Sequence, residues 1–299
     1  MKKHGNIYYP EKIDLHIHST VSDGTDTPEQ ILEKVKKAGI ELFSITDHDA
    51  VTAGTIIKEI RREGEPLFIT GVEFSCKDSE GKYHILGYGF DPRADAIRKI
   101  VELGHSYRMD KVHARLDFLK EAYGFDFSEQ DLDRLLALDN PGKPHIGNLM
   151  AKYGYAKSKD LAISEYINKC TYKSRYVTPK QAIDGILDSG GIPILAHPPY
   201  GNGSDLITGE KLRERVRRLK KTGLQGIEGY YSRYRQELRA ELLAMAEEEE
   251  DLKDFYITAG SDYHGTNKPV ALGETGCRNA AEGPGGLRRF LEKSLLEKV

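Results

Sequence analysis

From Ile13 to Phe90, and again from Thr178 to Ala259, short apolar segments alternate with amphipathic helical ones. That rhythm constrains the fold more than any other feature, because a strand, a helix and a second strand are joined by a crossover that favours a mainly parallel sheet. The segment Ile13-Asp14-Leu15-His16-Ile17-His18 has the strand period of two, so Asp14, His16 and His18 share one face. A helix follows, with Thr27 as N-cap, Pro28 at its first position, and Ile31, Leu32, Val35 and Ala38 on one stripe before Gly39. A strand from Glu41 to Thr46 runs into Asp47-His48-Asp49, and a helix over Thr52 to Glu63 leads to a strand from Leu67 to Phe74. The polar run from Lys77 to Lys82 predicts a hairpin turn into Tyr83 to Phe90.

The rhythm stops between residues 91 and 176, where only helices are expected: Ala94 to Tyr123, Ser128 to Leu138 and Pro144 to Tyr153, with a break at Asn140-Pro141-Gly142. This stretch reads as a helical insert, or lid subdomain, within an α/β domain made of residues 1–90 and 177–299. Alternation resumes with a helix from Thr178-Pro179 to Ser189 and a strand from Ile192 to Ala196 that ends in His197-Pro198-Pro199. A basic helix (Glu210 to Thr222), a strand (Gly226 to Tyr231), a helix (Arg233 to Asp251) and a strand (Phe255 to Ala259) complete it.

The composition excludes several classes. A chain of 299 residues is long enough for one large domain or two ordinary ones. It is 30% charged, has a mean hydropathy of −0.55, and contains no apolar run near the roughly 18 residues that a membrane span requires. No apolar stretch follows the N-terminal lysines, so a cytoplasmic location is expected. Cys76, Cys170 and Cys277 are too widely spaced for a disulfide framework or a CxxC site. The net charge of −3 does not call for a polyanionic partner.

The polar residues expected at the C-terminal ends of the strands are His16, His18, Asp23, His48, Glu73, His84, His197, Asp262 and His264, on the side where α/β enzymes build their sites. One histidine at a strand end is usually a satisfied polar group. Here imidazoles and carboxylates from separate segments converge only once the sheet has folded, and His16 with His18, like Asp262 with His264, carries the spacing that lets two side chains reach one ion. Nitrogen and carboxylate donors together favour Zn, Mn or Fe over Mg or Ca. No GxSxG elbow occurs, and the cysteines lie away from these strand ends, so a covalent nucleophile has little support.

Asp14-Leu15-His16-Ile17-His18-Ser19 with Asp23-Gly24, Thr46-Asp47-His48-Asp49, Gly71-Val72-Glu73, Ala196-His197-Pro198 and Ser261-Asp262-Tyr263-His264 resemble the PHP (polymerase and histidinol phosphatase) family, across the chain apart from the insert. The resemblance implies a distorted (βα)7 barrel, TIM-barrel-like, holding three divalent metal ions (Mn, Fe or Zn). It places His16, His18, Glu73 and Asp262 on the first ion. Glu73 then bridges to a second ion held by His84 and His197, and Asp23, His48 and His264 hold the third. Catalysis would use a metal-bridging water held by Glu73 and its neighbours, since two cations about 3.5 to 4 Å apart deprotonate water near neutral pH. Asp14, Asp47 and Asp49 flank ligands and would either orient imidazoles or serve the backbone.

The insert, Lys143-Pro144-His145-Ile146 and Ile227-Glu228-Gly229-Tyr230-Tyr231-Ser232 are similar to the PHP branch containing nucleoside 3′,5′-bisphosphate phosphatases and a 5′ to 3′ trimming exoribonuclease. Lys143 stands where that branch often has arginine, giving charge without a bidentate fork. The resemblance implies a phosphoesterase acting on a small phosphorylated substrate, an AMP-like nucleotide such as a nucleoside 3′,5′-bisphosphate, or the 5′ end of short RNA. No obligate protein partner is implied. Arg108, Lys143, His145, Tyr231 and Arg233 are candidate substrate contacts, although Arg108 would equally suit the solvated side of its helix beside Lys111 and Arg115. The alternatives are a histidinol-phosphate phosphatase and a non-hydrolytic metal-binding PHP module. The basic run 211–221 reads as an amphipathic helix with a solvated face rather than a nucleic-acid patch, and Glu247 to Asp251 as a solvated helix end.

Overall fold

The computed structural model describes residues 2–4, 7–201 and 206–296. Strands β1 (Lys2–His4) and β2 (Ile7–Tyr9) pair antiparallel. Strands β3 (Ile13–Ile17), β4 (Leu42–Ile45) and β5 (Leu67–Phe68) form a parallel sheet in that order. A second sheet contains β6 (Gly71–Asp78), β7 (Gly81–Tyr88), β8 (Ile192–Leu195), β9 (Gly226–Tyr231) and β10 (Tyr256–Gly260), ordered β10-β9-β8-β7-β6. The expected hairpin is β6–β7, so β7 runs antiparallel to both neighbours while β8, β9 and β10 are parallel. The single strand expected over Leu67 to Phe74 is split between the two sheets.

The sheets meet at both margins without forming a closed barrel among the described residues, so of the expected distorted (βα)7 barrel the structure shows the mixed α/β fold. One margin is a bridge between Ile17 and Tyr263, and the other a bridge between His48 and Glu73. Each ladder stops after one bridge because the chain leaves the extended conformation there: Asp262 has φ 59° and Asp49 has φ 51°. Both margins are closely packed. A Cβ on Gly71 would lie 2.2 Å from Ser44 Oγ, and one on Gly260 2.2 Å from His16 Cβ.

Helices α1 (Pro28–Lys37) and α2 (Thr52–Ile60) cover the first sheet, burying Ile31, Val35 and Ile57 against Ile17, Phe43 and Ile45. Thr27 caps α1 in a capping box with Gln30, as its sequence predicts. Helix α3 (Asp95–Tyr123) opens the helical segment, followed by α4 (Glu129–Leu136), α5 (Lys143–Lys152) and the unanticipated α6 (Lys159–Glu165). Val112, Leu119, Leu135, Ile146, Met150, Ala162 and Ile167 give these helices a core of their own. Helices α7 (Pro179–Leu187), α8 (Gly209–Lys220), α9 (Gln236–Glu248) and α10 (Gly285–Leu296) complete the chain.

The basic and acidic runs satisfy one another. On α8, Arg213 pairs with Glu241 and Glu249, and Arg217 with Glu249 and Asp251. Glu247 accepts the first two N–H groups of α10, from Gly285 and Gly286, at 2.9 and 2.7 Å. The acidic run is therefore structural rather than merely solvated. No helix among the described residues is long and apolar enough to cross a membrane.

Candidate metal centre

Glu73 is the hub. It sits on β6 with 1% exposure, and five imidazoles converge on its carboxylate. Oε1 lies 3.3 Å from His16 Nε2, 2.9 Å from His84 Nδ1 and 3.2 Å from His197 Nε2. Oε2 lies 3.2 Å from His18 Nε2 and 3.0 Å from His48 Nδ1. Asp262 Oδ1 adds contacts at 3.4 Å to His18 Nε2 and to His264 Nδ1, and Asp23 Oδ1 lies 3.2 Å from His264 Nε2. All nine residues singled out from the sequence thus come together.

They form four overlapping sets whose donor atoms lie within 4.8 Å of one another: His18, Asp23, His48 and His264; His16, Glu73 and His197; His16, His18 and Asp262; and His48, Glu73 and His84. The family-implied division paired His84 with His197, whereas the observed sets place His84 with His48 and His197 with His16. The donors suit a divalent ion. His16 Nε2, His18 Nε2 and His48 Nδ1 are buried with no well-formed hydrogen bond, facing carboxylate oxygens at 3.0 to 3.6 Å. Buried polar atoms in that state call for a partner, and mixed nitrogen and carboxylate donors are the ones that transition-type ions take.

Burial opposes ionisation of Glu73, but His84, His16 and His48 outweigh it and hold the carboxyl well below its usual range. Burial likewise opposes charge on His18, yet the facing carboxylates of Asp262 and Glu73 outweigh it and raise its pKa to about 9. His48 falls well below the ordinary histidine value because burial dominates there.

The flanking aspartates serve the backbone rather than the imidazoles. Asp14 accepts the N–H and Oγ–H of Ser261 at 2.9 and 2.6 Å and the N–H of Gly273 at 2.8 Å. Asp47 accepts from Ser19 N–H, Ser19 Oγ and Ser22 Oγ at 2.7, 2.6 and 2.5 Å. Asp49 accepts Ser75 N–H at 3.0 Å. The group that touches an imidazole is Glu228, which the sequence reading passed over: its Oε1 lies 2.9 Å from His16 Nδ1. A lone acid within the otherwise apolar strand β9 was the available signal.

A cavity of about 260 Å³ adjoins the cluster, and its lining joins Asp23, His48 and His84 to the cations Lys82, Arg108, Lys111, Arg115 and Lys143. Arg108, Lys111 and Arg115 recur along α3 at helical spacing, so one face of the helix delivers all three into the cavity. The solvated-helix reading of Arg108 is corrected: its guanidinium is 2.6 Å from Asp49 Oδ2. Lys111 Nζ stands 3.6 Å from the Tyr176 ring centroid, and burial together with Arg108 brings its pKa down to about 7. Asn140, 3% exposed, donates to the His48 carbonyl, so the helical segment touches the cluster directly. Cys76 also lines the cavity, but burial pushes its thiol well above the ordinary range and leaves it a poor nucleophile.

The remaining candidate contacts are distributed differently. Lys143 lines the cavity and donates to Asn168. His145 Nδ1 accepts the Gly142 N–H at 3.1 Å. Tyr231 is 4% exposed and donates to Asp262 Oδ2 at 2.9 Å, so its face is not open for stacking. Arg233 is exposed and stacks 4.8 Å from the Tyr200 ring centroid. Lys268, which the sequence did not single out, lies 2.6 Å from Asp262 Oδ2.

Residues 14–177 match the family described as PHP domain. A phosphoribosyl 1,2-cyclic phosphate 1,2-diphosphodiesterase from Eggerthella lenta is 30% identical, covering 84% of this chain and 94% of that protein. A 3′,5′-nucleoside bisphosphate phosphatase from Chromobacterium violaceum is 29% identical, covering 84% of this chain and 87% of that protein. Among solved structures, an amidohydrolase from Chromobacterium violaceum with bound sulfate and no metal superposes with a TM-score of 0.74 at 23% identity, covering 95% of this chain and 96% of that one.

Proposed function

The chain belongs to the PHP domain family of metal-dependent phosphoesterases, and we propose that it removes a phosphate monoester from a nucleotide-like substrate bearing a second phosphate, such as a nucleoside 3′,5′-bisphosphate. One observation carries this reading: a His and carboxylate cluster centred on Glu73 adjoins a cavity that is also lined by a wall of five cationic side chains. The two bridged sheets correspond to a distorted (βα)7 barrel left open, over which residues 91–176 act as a lid subdomain.

Three divalent ions, Mn, Fe or Zn, would be held by His16, His18, Asp23, His48, Glu73, His84, His197, Asp262 and His264. Bound there, they supply Lewis acidity toward phosphoryl oxygens and a water made nucleophilic near neutral pH. The chain's own residues do the rest. Glu73 and Asp262 fix the imidazoles around them, Asp14 holds the segment that carries Asp262, and Asp47 holds the turn that follows His18. Lys82, Lys111, Arg115 and Lys143 neutralise the second phosphate. Arg108, tied to Asp49, sets the distance between that wall and His48.

The cationic wall also separates substrates. Histidinol phosphate carries an ammonium group, which such a wall repels, whereas a bisphosphate presents a second anion to it. The test is phosphate release from adenosine 3′,5′-bisphosphate, adenosine 5′-monophosphate, histidinol phosphate and a short 5′-phosphorylated RNA in the presence of Mn²⁺. The bisphosphate is expected to give the highest kcat/KM. Turnover of histidinol phosphate alone contradicts the substrate assignment, and release from none of them contradicts the activity.

A further inference from the structure

Glu228 lies behind the cluster on β9, wholly buried, with both carboxylate oxygens committed to donors. Oε1 is 2.9 Å from His16 Nδ1, and Oε2 accepts the main-chain N–H of His197 at 2.9 Å. These two histidines come from β3 and from the turn after β8, and each belongs to a set of donors around Glu73 or Asp262. His197 has φ 28°, a backbone region that non-glycine residues rarely occupy. The space around Glu228 is tight: a Cβ on Gly260 would come within 2.5 Å of its Oε1. The Tyr234 hydroxyl further ties the main chain here, donating to the Glu228 carbonyl at 3.1 Å.

We infer that Glu228 is a positioning residue that sets two candidate ligands at once: it keeps the His16 proton on Nδ1, so that Nε2 presents its lone pair, and it pins the bent main chain at His197. This rests on the reading above, in which His16 and His197 hold ions. The logic is that of a carboxylate behind a metal-bound imidazole, where the outer partner fixes both tautomer and ring orientation. Both neighbours are donors, so the residue between them must be an acceptor on both sides. A glutamine in the same space points an amide NH₂ at one of them.

The experiment compares the metal-stripped parental protein with Glu228→Gln and Glu228→Asp by calorimetric titration with Zn²⁺, with circular dichroism and thermal melts run alongside. Glu228→Gln is expected to stay folded and to bind ions about 10- to 100-fold more weakly. Glu228→Asp, smaller but still acceptor-only, is expected to keep more affinity than Gln. In the zinc-loaded parental protein with ¹⁵N-labelled histidine, a long-range ¹H–¹⁵N spectrum is expected to show the His16 proton on Nδ1. Unchanged affinity in Glu228→Gln, a larger loss in Asp than in Gln, or a proton on Nε2 overturns the inference. Should Glu228→Gln not fold, the tautomer decides alone. A parental protein that takes up no ion overturns the functional reading itself, and this inference with it.

Discussion

Two walls line one cavity, and they are built on opposite principles. The wall around Glu73 comes from strand ends and bridges, is largely buried, and pairs each carboxylate with imidazoles. The cationic wall comes mainly from one face of α3 with contributions from β7 and α5, and Arg108 is the member whose charge an acid neutralises directly. The contrast follows from what each must hold. An ion needs donors fixed to within a few tenths of an ångström, which strand ends and buried carboxylates supply. An anionic group needs positive potential at short range, and long lysine and arginine stems provide it without strict geometry.

The largest effect that distinguishes the walls is expected at the Glu73 side. Asp262→Ala and His197→Ala should each lower kcat by roughly 10³-fold or more, because Lewis-acid stabilisation supplies several kcal/mol, while circular dichroism remains that of the parental protein. Unchanged turnover in both would remove the functional difference between the walls. On the cationic side, Lys111→Met should raise KM for adenosine 3′,5′-bisphosphate about tenfold or more, since a hydrogen bond to a charged group contributes about 1.5–3 kcal/mol. It should leave kcat for adenosine 5′-monophosphate nearly unaltered. Equal losses on both substrates would mean that this wall serves the chemistry and not the second phosphate.

A smaller effect concerns the supports. Asp14 accepts hydrogen bonds from several backbone and hydroxyl donors at once, so Asp14→Asn turns an amide toward a donor and should cost about 1–3 kcal/mol in urea-denaturation stability. No loss would show that those donors find water instead. The smallest is a pH dependence. Lys111 is held down to about 7 by burial and by Arg108. An anion that requires the ammonium form must therefore draw in a proton above that value, and affinity weakens as pH rises through about 7. Calorimetric titration with sulfate should show this component in the parental protein and lose it in Lys111→Met.

The two walls also differed in how readily the sequence revealed them. His16 and His18 stand at i and i+2 beside apolar strand residues, so periodicity placed them on one face; Asp262 and His264 repeat the spacing but follow β10, where Asp262 leaves the extended conformation. The N-caps at Thr27 and Thr178, each followed by proline, were equally legible because they depend on neighbouring residues, and the structure completes each as a capping box. The cationic wall was visible only in part: Arg108, Lys111 and Arg115 share a helical face, but nothing local says whether that face meets solvent or Tyr176. Glu228 was invisible as a partner of His16 because the two residues are 212 positions apart and meet only across the folded sheets. The open seams were missed for a related reason. They depend on the positive φ of Asp49 and Asp262, which tertiary contacts impose on residues that do not ordinarily favour it.

The central claim is that the Glu73 cluster holds divalent ions that the hydrolysis of a phosphate monoester requires. The most direct measurement is phosphate release from adenosine 3′,5′-bisphosphate by protein stripped with chelator, dialysed, and then titrated with Mn²⁺. Release should fall to background in the stripped protein and return as ions are added, reaching a plateau at a whole-number stoichiometry. Release that continues at the original rate in protein shown by elemental analysis to contain no metal would contradict the account.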